Sequence, residues 1–313
     1  MSRRPRSAAT SAPAIAYRAD TPSECAPQSD SPRADLASGY AGLDRGEGPK
    51  ASGRGQDYYW DRQAERYEKI FLDPYDPGVI NPLLKALDAI TDAGTKTVVD
   101  LGCGTGPLLP RLIDRFARVV AVDFAPSMIE LARRRLGDRA DRVKFRNVSM
   151  SSISEFESGV DVAIAVNSLV APEVSEIAAA LRSIRACLRP GGVFLGVVPS
   201  LDAIYYHTML LYDDAIERGL SPREADRHAS IHAEHRRYDF AFGRFRYQGI
   251  RQKFWQPFEL VHRLRKAGFE DIRLDQVLYP WEAGDPASGR DDRRPPGWDW
   301  SFVASTTKLD DHL

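Results

Sequence analysis

The chain has 313 residues, a formal net charge of −1, 43% apolar residues and 28% charged residues. That balance belongs to a globular protein, too apolar for disorder throughout and lacking the ~18-residue apolar run of a membrane-spanning helix. Near-neutral charge argues against a broad electrostatic grip on nucleic acid, and the widely spaced Cys25, Cys103 and Cys187 outline neither a disulfide framework nor a zinc ribbon. A cytoplasmic enzyme or binding protein without a metal centre is expected.

Residues 1–54 are rich in Ala, Ser, Pro and Gly, with Ile15, Leu36 and Leu43 as their only Ile or Leu residues, and read as a disordered leader. No apolar segment follows the opening arginines, so no secretory signal is read there. A domain over residues 55–309 follows. Helix is expected over 58–70 and again over 81–90, where Pro82 stands early enough to be tolerated. Short apolar strands are then predicted at 97–100, 118–123, 142–147, 161–167 and 192–199, with helices at 127–136 and 174–188 among them. Strands alternating with helices imply βαβ units and a parallel sheet covered on both faces.

After the fifth strand the alternation is interrupted over residues 201–253. Leu201, Ile204, Tyr205, Thr208, Tyr212 and Ile216 recur at helical spacing up to Gly219, and Ser221-Pro222-Arg223-Glu224 forms a capping box for a second helix. Gly243-Arg244 fits a two-residue hairpin turn, which pairs Phe242 with Phe245 and Phe240 with Tyr247 and gathers these aromatics, with Tyr238, on one face. His228, His232 and His235 share a helix face, read as a solvated polar stripe rather than a metal site. Helix returns over 257–268 and strand over 271–279; a long loop over 284–297 precedes a last strand at 300–306.

The strongest chemical signal is Asp100-Leu101-Gly102-Cys103-Gly104-Thr105-Gly106, where an acid closes the first strand and three glycines lead into a helix. Glycine lets the backbone turn sharply and approach a ligand with no Cβ in the way. Counting from Gly102, the dinucleotide fingerprint needs a third glycine at 107, where Pro107 stands, and no phosphate-loop lysine is present. The loop therefore suits a nucleoside-like ligand without pyrophosphate. Cys103 counts with the loop's lining as a small space-filling residue, not as a nucleophile. Asp123 ends the second strand, facing the crevice where open α/β sheets bind ligands, and can accept both hydroxyls of a ribose.

Together these segments resemble the class I, Rossmann-like S-adenosylmethionine-dependent methyltransferases over about residues 57–307. DLGCGTG is similar to the family's glycine-rich motif and AVDFAPSMIELARRRL to its ribose-binding strand and following helix. Leu188-Arg189-Pro190-Gly191-Gly192 is similar to the turn before its fifth strand. The resemblance implies an α/β fold with a seven-stranded, mostly parallel sheet, helices on both faces, the last strand antiparallel, and S-adenosylmethionine as cofactor. By the same resemblance Asp100, Gly102, Gly104 and Gly106 cradle the methionyl and ribose part and Asp123 binds the ribose. Phe124 and Met128 lie against the adenine, and Asn167 lines the methionyl end. Where the family commonly has an adenine-binding Asp after the third strand, this chain has Ser149, followed by Met150; a neutral hydroxyl makes a weaker bond than a carboxylate.

The expected function is methyl transfer to a small-molecule acceptor. The insertion 201–253 serves as a substrate lid, and Tyr59, Tyr67, Tyr205, Phe242 and Tyr247 contribute an aromatic wall. The motifs name no catalytic base. The alternatives are a methyltransferase acting on RNA or protein, and a non-catalytic cofactor-binding protein; the oligomeric state is not readable.

Overall fold

The computed structural model describes residues 73–232, 238–239, 241–247, 250–280 and 297–306. The leader, the helix expected over 58–70 with Tyr59 and Tyr67, His235 and most of the long loop after residue 280 lie outside the described residues.

The first described helix, α1 (Pro82–Asp88), begins where the sequence allows. Asn81 caps it, its Oδ1 accepting the Leu83 N–H at 3.0 Å, and Pro82 occupies the first turn, where its missing N–H costs no intrahelical bond. The alternation then runs β1 (Thr97–Leu101), α2 (Leu109–Ile113), β2 (Arg118–Asp123), α3 (Pro126–Leu136), β3 (Val143–Asn147), β4 (Val160–Val166), α4 (Val174–Cys187) and β5 (Leu188–Val198). The insertion supplies α5 (Leu201–Glu217), α6 (Pro222–His232) and three short strands, β6 (Tyr238–Asp239), β7 (Arg244–Tyr247) and β8 (Ile250–Lys253). Helix α7 (Pro257–Lys266), β9 (Phe269–Leu278) and β10 (Trp298–Thr306) complete the order.

Seven strands form one sheet in the order β3-β2-β1-β4-β5-β10-β9. The first five pair in parallel, and β10 runs antiparallel to both β5 and β9. Both faces are covered, which is why the strands read as continuous apolar runs. Val99, Leu101, Val120, Val122, Ala163, Ala165, Phe194 and Phe302 pack under α4 and α7. Val98, Val119, Ala121, Val162, Ile164, Leu195 and Val197 pack under α1, α2 and α3. The chain leaves β1 toward β2 on one side and later returns to β4 on the other. That reversal opens a crevice beyond the carboxyl ends of β1 and β4.

Two local expectations are corrected. Leu188-Arg189-Pro190-Gly191-Gly192 is not a turn ahead of the fifth strand. β5 already starts at Leu188, and the segment bulges within it, between the Val160–Leu188 and Val162–Val193 pairings.

The hairpin register also differs. Tyr238 pairs with Phe245 and Asp239 with Arg244, so Phe242 lies in the turn and is not opposite Phe245; Phe240 lies outside the described residues. Phe245 is buried edge-on against Phe254, with ring centroids 5.8 Å apart, whereas Phe242 is 52% exposed under the Arg244 guanidinium. The physical reason lies at Gly243. Its φ of +60° and the close approach of the Phe254 carbonyl leave no room for a Cβ, and the Phe254 N–H bonds its carbonyl at 2.6 Å. The glycine serves the docking of the insertion onto the strand end, not a two-residue turn. Strand β8, unforeseen, pairs with β7.

The insertion is stitched to the sheet by backbone bonds. The Lys253 N–H donates to the Val170 carbonyl, the Trp255 N–H to Pro199 and the Leu201 N–H to Trp255, each at 2.8–2.9 Å. The Trp255 indole is fully buried and donates to the Leu169 carbonyl at 2.9 Å. At the end of α5, Gly219 at φ +86° donates to Ile216, and Leu220 donates to Ala215. This is a Schellman closure.

Candidate functional site

The crevice is built by three strand ends. After β1, the Gly102 and Cys103 N–H groups both donate to the Val122 carbonyl, at 2.7 and 2.9 Å, turning the chain across the end of β2. Gly102 sits at φ +69°, and a Cβ there would collide with that of Ser168, whose hydroxyl donates to the Leu101 carbonyl at 2.7 Å. Gly104 is different. Its φ is +53° but nothing lies within 4 Å of a Cβ position, so its bare backbone borders open space. Gly106 packs against Ala132 of α3, and the Arg135 Nε holds the Thr105 carbonyl at 3.0 Å.

Asp123 locks this loop. Its Oδ2 accepts the Gly104 N–H and its Oδ1 the Ala125 N–H, both at 2.9 Å. Burial raises its carboxyl above the ordinary range while these backbone bonds pull it back. A carboxylate offers about four lone-pair sites, so accepting capacity remains beyond the two N–H bonds. Asp100, buried at the end of β1, is pushed to about 7 by desolvation first and by the Asp123 charge second. Cys103 is buried, and desolvation with both carboxylates drives its thiol well above the usual range, which fits a space-filling role.

A cavity opens here, lined by Asp100, Gly102, Cys103, Gly104, Asn167 and Tyr75, with Asp73, Pro74, Thr105, Pro107, Leu108, Arg135 and Val166 completing its wall. Asn167, just beyond β4, adopts φ +49°, and its Oδ1 is buried without a hydrogen-bond partner.

Next to Asp123, Phe124 and Met128 pack together with Ala125 and Leu131. The Met150 side chain lies beside Gly102. Ser149 is exposed at the start of a short 3-10 turn, its hydroxyl 2.8 Å from that of Ser151.

The cavity wall thus unites five of the residues singled out in the sequence: Asp100, Gly102, Cys103, Gly104 and Asn167. Among the described residues of the expected aromatic wall, Tyr205 on α5 is 42% exposed and Phe242 sits in the turn of the insertion, and neither lines the cavity. Tyr247 belongs to β7. Sequence reasoning missed Asp73 and Tyr75, for which there was no signal. It also gave no weight to Asp299, buried on β10, whose carboxylate accepts the Ser200 N–H and the Tyr279 hydroxyl. The Trp298-Asp299-Trp300 alternation, one carboxylate among aromatics in a strand buried on both faces, was the available signal.

A family model described as "Methyltransferase domain" matches residues 98–192. The highly reducing polyketide synthase easB of Emericella nidulans is 30% identical over 227 residues, 70% of this chain and 8% of that one. A ubiquinone biosynthesis O-methyltransferase of Nitrosomonas europaea is 25% identical, over 69% of this chain and 86% of its own length. The chain spans only 8%, 39% and 57% of the first three curated relatives it matches. Among solved structures, a DhpI–SAH complex shares the fold at a TM-score of 0.50 and 20% identity, covering 80% of this chain and 95% of that one. Among the described residues no helix is long and apolar enough to cross a membrane. The glycine loop clamped by a strand-end aspartate, the sheet order and the family match agree: residues 98–192 match a methyltransferase domain, and the fold is that of the class I S-adenosylmethionine-dependent methyltransferases.

Proposed function

We propose that the protein binds S-adenosylmethionine in the crevice beyond β1 and β4 and transfers its methyl group to a small-molecule acceptor. The observation that carries this reading is the loop itself. Asp123 fixes Gly104 so that open backbone faces the crevice, and the buried Asp100 and the unpartnered Asn167 Oδ1 stand across from it as acceptors. Such a donor-hungry, partly anionic cavity suits a cationic amino-acid moiety joined to a nucleoside. Asp100 and Asn167 would hold the methionyl end, Asp123 the ribose hydroxyls, and Phe124, Met128 and Met150 the flat base, with Ser149 at its rim.

The cofactor supplies a methyl group that its sulfonium already makes electrophilic, so the chain's work is chiefly to hold the acceptor in line and keep water out. We assign that work to residues 201–253, which join the body at the carboxyl ends of β4 and β5. A small acceptor is favoured by near-neutral charge and by the relatives named for ubiquinone biosynthesis and polyketide synthesis.

Calorimetry with S-adenosylmethionine and with NAD tests the cofactor, and methyl-labelled cofactor supplied with a metabolite extract tests the acceptor. Binding of the first ligand alone and label in a small product are expected. Binding of NAD alone would overturn the cofactor, and faster labelling of tRNA or protein would overturn the acceptor class.

A further inference from the structure

We propose that the protein carries a second ligand site at the opposite end of the sheet from the crevice: a groove beside α1 that takes a small phosphomonoester with an apolar body. The inference does not depend on the cofactor reading.

The groove lies against the amino ends of β4 and β5 and holds a cavity of about 300 Å³, enough for a ring-sized molecule. Asp161, near the start of β4, is on its wall, whereas Asn167, just past the other end of that strand, is on the wall of the crevice. At ~3.3 Å per residue the two sites stand roughly 20 Å apart.

The bulge in β5 shapes this space. Val160 pairs with Leu188 and Val162 with Val193, so the segment from Arg189 to Gly192 stands opposite Asp161 alone and must swing out of the strand. Gly191 takes the turn at φ +72° on the cavity wall, and Arg189 is carried to the rim. The floor is apolar, made by Ile90, Val162, Val193, Leu195 and Val303. Around it stand three cations, Lys96 ahead of β1, Arg189 in the bulge and Arg273 on β9, against one carboxylate, Asp161.

That carboxylate is already committed. Its Oδ1 lies 2.6 Å from the Arg189 Nη2 and its Oδ2 accepts the Thr97 N–H at 2.8 Å, so it anchors Arg189 and ties it to β1. Lys96 gives one of its three donors to the Thr91 carbonyl at 2.7 Å, and the half-exposed Arg189 keeps donors beyond its ion pair. Arg273 forms no ion pair or side-chain hydrogen bond among the described residues. The lining therefore carries a net charge of +2 above an apolar floor. A dianionic phosphate answers the charge, since guanidinium groups hold phosphate oxygens in pairs, and a small ring or chain attached to it answers the floor.

The test titrates phenyl phosphate, inorganic phosphate and phenol into the full chain by calorimetry at pH 7.5 and low salt. Phenyl phosphate should bind at least about tenfold more tightly than inorganic phosphate, because only it covers the floor, and phenol should give no measurable binding. Arg273→Gln should weaken phenyl phosphate about tenfold, the worth of one charge-assisted hydrogen bond, and leave S-adenosylhomocysteine within about twofold. Arg134→Gln removes an equal charge from the exposed side of α3 and should leave phenyl phosphate unchanged.

No binding of phenyl phosphate would overturn the inference. So would equal binding of inorganic phosphate, or equal losses in the two variants, each of which reduces the groove to bulk charge. Competition between phenyl phosphate and S-adenosylhomocysteine would put the anion in the crevice and overturn it too. Binding that emerges only after removal of residues 307–313, which include Asp310 and Asp311, would give the groove to the chain's own acidic segment and overturn the small-molecule occupant.

Discussion

Replacing Asp100 by Asn should stabilise the ligand-free protein at alkaline pH and weaken it for its ligand. Asp100 is buried with no ion-pair partner among the described residues, and its carboxyl rises from 3.8 to about 7 through desolvation and the Asp123 charge. Because the fold prefers the protonated form, stability from this group is fully present below about pH 4. It is lost as pH climbs through about 7. At 1.36 kcal/mol per pH unit the ceiling on that loss is about 4 kcal/mol; the new carboxamide must itself be hydrogen-bonded, which leaves roughly 1–3 kcal/mol. For a domain of this size that corresponds to about 2–4 °C in Tm per kcal/mol. Thermal unfolding of the wild type and Asp100→Asn from pH 4 to pH 8.5 measures it. The variant should lie below the wild type near pH 4 by the cost of its carboxamide, gain on it up to about pH 7 and then run parallel above it. An Asn variant equal to or below the wild type at pH 8, or a difference independent of pH, would refute the reasoning.

A cationic ligand beside Asp100 must pull its carboxyl back down, so binding at pH 6.5 should release up to about 0.7 proton, read from calorimetric heats in buffers of differing ionisation enthalpy; no release would separate Asp100 from the ligand. Gly102→Ala meets Ser168 at a positive φ and should lower Tm. Gly104→Ala, with open space around it, should cost only about 1–2 kcal/mol of backbone strain yet abolish most cofactor affinity. Equal Tm losses with unchanged affinity would place neither glycine at the ligand. Phe245→Ala should destabilise by about 3–5 kcal/mol in urea unfolding, as a buried ring does, whereas the exposed Phe242→Ala should cost under about 1 kcal/mol. The reverse order would restore the two-residue hairpin.

The sheet was legible because β1, β2, β4 and the second half of β5 are short apolar runs buried on both faces, so local composition marks them. The insertion was not. The segment Phe240-Ala241-Phe242-Gly243-Arg244-Phe245 alternates in a way that admits more than one register, and the contact that decides, the Phe254 backbone on Gly243, comes from outside it. β8 was invisible because its buried residues are Gln252 and Lys253, the lysine satisfied by two carbonyls and Glu259 rather than by apolar neighbours. At the site, the glycines and Asp123 were readable since the loop's backbone angles demand them. Asp299 reaches the Ser200 N–H from 99 residues downstream, a distance local patterning does not span.

The insertion leaves the sheet at Leu201 and rejoins it at Trp255, and those two residues are hydrogen-bonded to each other, so its exit and entry coincide. Between them the segment is also held to the body by the Lys253 N–H on the Val170 carbonyl, Arg244 on the Pro172 carbonyl and the Trp300 indole on Asp202. Closing a longer loop across a fixed junction costs only about 0.6 kcal/mol for each doubling of length. Helices α5 and α6 and the small sheet can therefore be lengthened, shortened or exchanged as a cassette without the glycine loop registering the change. Under the proposed function, acceptor choice and cofactor binding fall to separate segments of the chain that meet at the ends of β4 and β5.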